Sequence, residues 1–213
     1  MPPVAHGAPE RNGMPAMASK TIGFVFIDRF ADWEYGLLAA SAVEWFGAST
    51  LSLSPSGEQV VSASGFRLVP DLCLDAGENR DLDAIAVVGS ELWPTAEAPD
   101  ISALIKAVVA RGGVVGGICA GTLPLARAGL FAAARHTSNG RSWLLEKLPG
   151  YAGAALYQDV PHAVADRNVV SAPGSAPGTF AHRYLETLFP EEEAQLAHMP
   201  TIFAREYVSR QSS

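Results

Sequence analysis

Three short runs that are apolar throughout constrain this chain most: Thr21–Ile27 (TIGFVFI), Ala84–Val88 (AIAVV) and Val114–Ile118 (VVGGI). A strand with one solvated face alternates apolar and polar residues. A continuous apolar run of this length fits a strand buried on both faces, the hallmark of a parallel sheet under helices. Helix-like stretches separate the runs. Asp32–Phe46 carries apolar residues at Leu37, Leu38, Ala40, Val43 and Phe46 and stops at Gly47, with Asp32 read as its N-cap. Ile101–Ala110 stops at Gly112-Gly113. Further strands are predicted at Thr50–Leu53, Arg135–Thr137, Val160–Ala165 and Val169–Ser171, with a hairpin pairing Gln59–Ser62 and Phe66–Val69. Helices are predicted at Arg141–Leu148, Pro177–Leu188 and Glu191–Val208. The pattern predicts an α/β, flavodoxin-like three-layer sandwich with a mostly parallel sheet. Residues 1–19 read as a flexible leader, 20–190 as the domain and 191–213 as a C-terminal helical extension.

In such sheets ligands bind beyond the carboxyl ends of the strands. Three of those ends carry suggestive residues: Asp32–Glu34, Gly89–Trp93 and Cys119. Cys119 stands where Gly117-Ile118-Cys119-Ala120-Gly121 leaves the third run and meets a helix-like segment, Thr122–Arg127. A strand turning sharply into a helix, with small residues around a nucleophile, is the sequence form of a nucleophile elbow. The helix N-terminus behind it is expected to favour thiolate over thiol. Cys119 could instead be a small buried hydrophobe, but the elbow glycines favour reactivity. Cys73 has no such setting and reads as structural.

The net charge of −7 argues against a nucleic-acid or anionic-membrane partner, and no apolar run is long enough to span a bilayer. With two cysteines a disulfide framework is excluded, so a reducing, cytoplasmic address is expected. The cysteine and histidine spacings suggest no metal site, and the Gly112–Gly117 cluster matches neither phosphate-binding nor dinucleotide fingerprint. No cofactor is called for.

Four segments together resemble the ThiJ/PfpI family, within the class I glutamine-amidotransferase-like superfamily. They are the first strand leading to Asp32-Trp33-Glu34, Val88-Gly89-Ser90, the Cys119 elbow, and Ala172-Pro173-Gly174-Ser175-Ala176-Pro177. Arg135-His136-Thr137-Ser138-Asn139 resembles a bacterial branch described as intracellular protease/amidase or amidotransferase-like. The resemblance implies that Cys119 is the reactive residue and that Glu34 contacts its sulfur. A protonated Glu34 bonded to a Cys119 thiolate would be the favourable arrangement, the two titrating as a unit. Backbone amides of Gly89 or Ser90 and of Ala120 would form an oxyanion site. Many relatives carry a histidine base just after the elbow or about twenty residues on; here the later position is Asn139, with His136 three residues earlier. His136 reads more readily as a satisfied structural histidine than as a base, unless it proves close to Cys119. Trp93 reads equally as a pocket wall or a surface aromatic.

The resemblance thus implies a cysteine-dependent hydrolase or hydratase-like enzyme acting on a small molecule, with a C–N bond as one target, and by analogy a homodimer. The rival is a redox-sensing or stress-protective protein oxidised at Cys119. A glutaminase is a third reading, weakened because no His-x-Glu pair lies near the C-terminus. Glyoxalase-like activity is open to the family, with the missing histidine counting against it.

Overall fold

The computed structural model describes residues 19–204. In chain order the elements are β1 (Thr21–Val25), α1 (Gly36–Phe46), β2 (Ser49–Ser54), β3 (Val60–Val61), β4 (Arg67–Leu68), β5 (Leu72–Cys73) and β6 (Ala84–Val87). There follow α2 (Ser102–Ala110), β7 (Val114–Ile118), α3 (Thr122–Arg127), α4 (Arg141–Lys147), β8 (Val164–Asp166), β9 (Val169–Ala172), α5 (Pro177–Leu188) and α6 (Glu193–Phe203). Seven strands form one sheet in the order β5-β2-β1-β6-β7-β9-β8, parallel except where β8 pairs antiparallel with β9. The predicted hairpin is present as β3 and β4, an antiparallel pair outside that sheet.

Period-two alternation sends successive residues of each central strand to opposite faces. Ile22, Phe24, Ala84, Ala86, Val114 and Ile118 pack with Leu38 of α1, Tyr184 and Leu185 of α5 and Met199 of α6. Val25, Ile85, Val87 and Val115 pack on the other side with Leu104, Ile105 and Val108 of α2, Leu123 and Leu125 of α3 and Leu144 of α4. Both strand faces are covered, which is why these runs contain no polar alternation. The architecture is the expected flavodoxin-like α/β sandwich.

Two expectations need correction. Helix α1 begins at Gly36, not Asp32, and its N-cap position is Tyr35 with no side-chain cap. Asp32 is engaged elsewhere: its Oδ2 accepts from the Ser64 amide at 3.0 Å and the Ser64 hydroxyl at 2.8 Å. The predicted strand Arg135–Thr137 is a single bridge between His136 and Tyr157. Cys73 lies in the edge strand β5, whose two residues are too short to leave a periodic signal. The leader is outside the described residues apart from Ser19. Of the C-terminal extension, α6 packs against α5, and the Phe203 ring stacks on Trp45 of α1 at 5.9 Å. Among the described residues no helix is long and apolar enough to cross a membrane.

Candidate active site

The elbow is built by close approach. Cys119 opens a tight turn, Cys119–Gly121, between β7 and α3, and it holds φ at 57°. A residue with a Cβ takes that left-handed conformation at a cost, and such strain concentrates at functional sites. The turn lies flush against β6: a Cβ on Gly121 would meet the Val87 carbonyl oxygen at 2.2 Å. The predicted role of Gly121 is thereby accounted for, and Cys119 is left half-buried at the strand end.

The loop after β1 supplies the acid. Phe30 bridges both Ser62 and Ser90, and the Ala31 amide donates to the Gly89 carbonyl at 2.9 Å. Phe30 also packs edge-on against Phe26, with ring centroids 4.9 Å apart. These ties turn the chain back over the strand ends before α1 begins and drive the Glu34 side chain inward. Glu34 is fully buried. Its Oε2 accepts from the Gly89 amide at 2.7 Å, while its Oε1 takes no hydrogen bond from any other described group.

Gly174, in the loop between β9 and α5, closes the third side. A Cβ there would lie 2.9 Å from the Cys119 sulfur and 3.1 Å from Glu34 Oε1, so both atoms border one small space. The Asn139 Nδ2 donates to Cys119 Sγ at 3.1 Å, and its Oδ1 accepts from the Gly174 amide at 3.0 Å. The Trp33 indole, 60% exposed, donates from Nε1 to the Gly174 carbonyl at 3.1 Å.

Burial pushes the Glu34 carboxyl up to about 7, against smaller lowering by the Gly89 amide and by the Cys119 thiol. Burial, and next the charge of Glu34, push the Cys119 thiol up to about 11; bonds from Asn139 and the Ala120 amide pull the other way. The expected dominance of the helix N-terminus is therefore corrected, because desolvation and a neighbouring carboxylate outweigh it. Between these two values the pair holds one proton for two sites.

The remaining candidates separate clearly. Ala120 is buried, and its amide favours the ionised form of the sulfur. The Gly89 amide is committed to Glu34 and is not a free oxyanion donor, a correction to the expected pair of amides. The Ser90 hydroxyl is tied to the Asp28 carbonyl at 2.6 Å. Trp93 is neither pocket wall nor surface: it is fully buried, with Nε1 donating to the Val88 carbonyl at 2.8 Å.

His136 is turned away from a catalytic role. Its ring stacks on Phe131 at 3.9 Å, Nδ1 bonds the Ala134 carbonyl at 2.9 Å, and Nε2 lies 3.4 Å from the Tyr151 hydroxyl. Burial holds its pKa below the ordinary imidazole value. Sequence reasoning assigned no role to Gly174 or Trp33. Their signals were the Ala172–Pro177 segment and the residue adjoining Glu34, both noticed only as parts of longer motifs.

Residues 20–187 match the model of the DJ-1/PfpI family. The chain belongs to the DJ-1/PfpI family. It is similar to the DJ-1 superfamily protein Atu0886 from Agrobacterium tumefaciens, with 38% identity, a TM-score of 0.79, and coverage of 88% of this chain and 99% of that one. An uncharacterized protease, YoaZ, from Bacillus subtilis is 29% identical over 81% of this chain and 85% of its own length. A glutathione-independent glyoxalase, DJR-1.2, from Caenorhabditis elegans is 32% identical over 75% of this chain and 83% of its own. The DJ-1/PfpI family thus includes relatives named for different reactions, so the chemistry must be argued from the site.

Proposed function

We propose that this protein is a cysteine-dependent, hydratase-like enzyme that converts small 2-oxoaldehydes to 2-hydroxy acids without a thiol cofactor. The observation that carries this reading is the buried Glu34 carboxyl beside the strained Cys119, with Oε1 free of other hydrogen bonds. The name of the nematode relative supports it.

The chemistry suits a site with one movable proton. The Cys119 thiolate adds to the aldehyde carbon, the carbonyl π pair moves to oxygen, and Glu34 gives that oxygen its proton. As carboxylate, Glu34 then takes the hydrogen from the same carbon, and the released pair forms an enediol with the adjacent ketone carbon. Return of the proton to that second carbon, with the hydroxyl proton of the first carbon passing to the oxygen of the second, leaves a 2-hydroxyacyl thioester on Cys119. Water attacks the thioester carbonyl and gives a proton to Glu34, the acid departs, and the sulfur leaves as thiolate, which restores the starting pair. The first carbon is oxidised as its neighbour is reduced, so the net change is addition of one water and no outside oxidant is needed.

Cleavage of a C–N bond asks more. A leaving amine must be protonated at a separate point, and a tetrahedral oxyanion needs free donors. His136 is held away by its stack on Phe131, and the Gly89 amide is already taken. The names of the Bacillus relatives nevertheless make amide cleavage the natural control. Incubation with a 2-oxoaldehyde in thiol-free buffer should yield 2-hydroxy acid with wild-type protein and none with Cys119→Ser. Release of amine from amide substrates, with no hydroxy acid formed, would refute the proposal.

A second reading uses the same pair. The half-buried sulfur meets a donor from Asn139, which would also hold an oxidised cysteine. Selective gain of two oxygens at Cys119 under peroxide, with no turnover of any aldehyde, is the outcome that would favour it.

A further inference from the structure

The segment that carries Asn139 to the sulfur is anchored on two sides. The Thr137 amide donates to the Ser171 hydroxyl at 2.9 Å, the Ser138 and Thr122 hydroxyls pair at 2.6 Å, and the Tyr157 hydroxyl donates to the Ser138 carbonyl at 3.2 Å. Thr122 in turn donates to the carbonyl of Cys119 itself at 2.7 Å. The segment bearing Asn139 is thus tied to the elbow on one side and to β9 on the other.

The orientation of the Asn139 amide follows from its partners. The Gly174 N–H can only donate, so the group facing it at 3.0 Å must be the amide oxygen. The NH₂ group therefore faces Cys119 Sγ, at 3.1 Å. An amide cannot take the sulfur's proton at any working pH, nor turn to offer an acceptor without breaking its bond to Gly174. It is a permanent donor, and a donor favours the anion over the thiol.

We propose that Asn139 is a catalytic residue, a fixed amide donor that stabilises the Cys119 thiolate whenever the sulfur gives up its proton. This rests on the reading of Cys119 and Glu34 as the reacting pair. It makes Glu34 the sole proton carrier, and it gives the side chain a role distinct from a base at that position. Among the described residues Asn139 is the side chain that donates to the sulfur, whereas the Glu34 carboxyl receives the Gly89 amide. Removing Asn139 takes that donor away and favours the thiol over the thiolate.

The test is the rate of alkylation of Cys119 by iodoacetamide against pH, in a Cys73→Ser background so that one thiol reacts. Asn139→Asp keeps an oxygen for the Gly174 amide but has no N–H, and Asn139→Leu has neither. Both are expected to lower the rate near neutral pH by roughly tenfold or more and to move the midpoint upward. The high-pH plateau, where every sulfur is ionised, should stay within about twofold of wild type. Midpoints that stay at the wild-type value in both variants overturn the proposal. So does a plateau that falls with the midpoint unmoved, since that is what lost packing alone would give. Alkylation uses no aldehyde, so a shifted midpoint in a protein that turns over no 2-oxoaldehyde upholds Asn139 and removes only the substrate reading.

Discussion

Glu34 is a buried carboxyl with no counter-cation among the described residues, and that makes the stability of the fold depend on pH. Its folded value, about 7, lies above the ordinary 4.5 because burial penalises the charged form. A carboxyl raised on folding binds its proton more tightly in the native state. Its contribution is fully present below about 4.5 and is lost as pH rises through about 7. Glu34→Gln keeps an oxygen for the Gly89 amide and removes the ionisation. The variant should match wild type near about pH 4 and be the more stable near about pH 8, by up to about 3 kcal/mol at roughly 1.4 kcal/mol per tenfold change in acidity. Urea unfolding at the two pH values reads this directly, and an equal difference at both would remove the burial argument. The identities of Glu34 and Cys119 were legible in the sequence, because each follows an apolar run that ends at the rim. The balance of their ionisation was not, since it depends on Gly89, Gly174 and Asn139 arriving from three other segments.

At the scale of elements, the site depends on how closely the elbow turn seats on β6. A methyl on Gly121 would strike the Val87 carbonyl oxygen, an atom fixed by the sheet. Gly121→Ala should therefore lower stability by about 1–3 kcal/mol, the usual cost of overpacking a close-packed contact. Thermal melting at one pH is the check, and an unchanged midpoint would mean the turn is looser than described. The same elements show what a local reading can reach. Strand β7 and helix α3 were read with the bounds found here, since VVGGI and TLPLAR carry their own periodicity and punctuation. Helix α1 was started too early because Asp32 resembles an N-cap, whereas Ser64, over thirty residues on, claims its carboxylate. That long-range bond keeps Asp32–Tyr35 out of the helix.

For the molecule as a whole, the doubly covered parallel sheet was legible because continuous apolar strands and punctuated helices agree on one architecture. The convergence of three rim segments was legible for the same reason. What each rim residue touches was not: the stack of Phe131 on His136 and the burial of Trp93 are products of packing between elements. The assembled rim provides one nucleophile and one proton carrier. That arrangement is tested most directly by kcat/KM for a 2-oxoaldehyde measured from about pH 5 to about pH 12 in wild type and Glu34→Gln, since this ratio reports ionisations of the free enzyme. The rate should rise as the pair loses its first proton, at about 7, and fall as it loses its second, at about 11. The variant should lose the falling limb, keep a single rise set by ionisation of Cys119, and lose about 10²–10⁴-fold in rate. A Glu34→Gln protein that keeps the wild-type rate and both limbs would contradict the shared proton on which the mechanism stands.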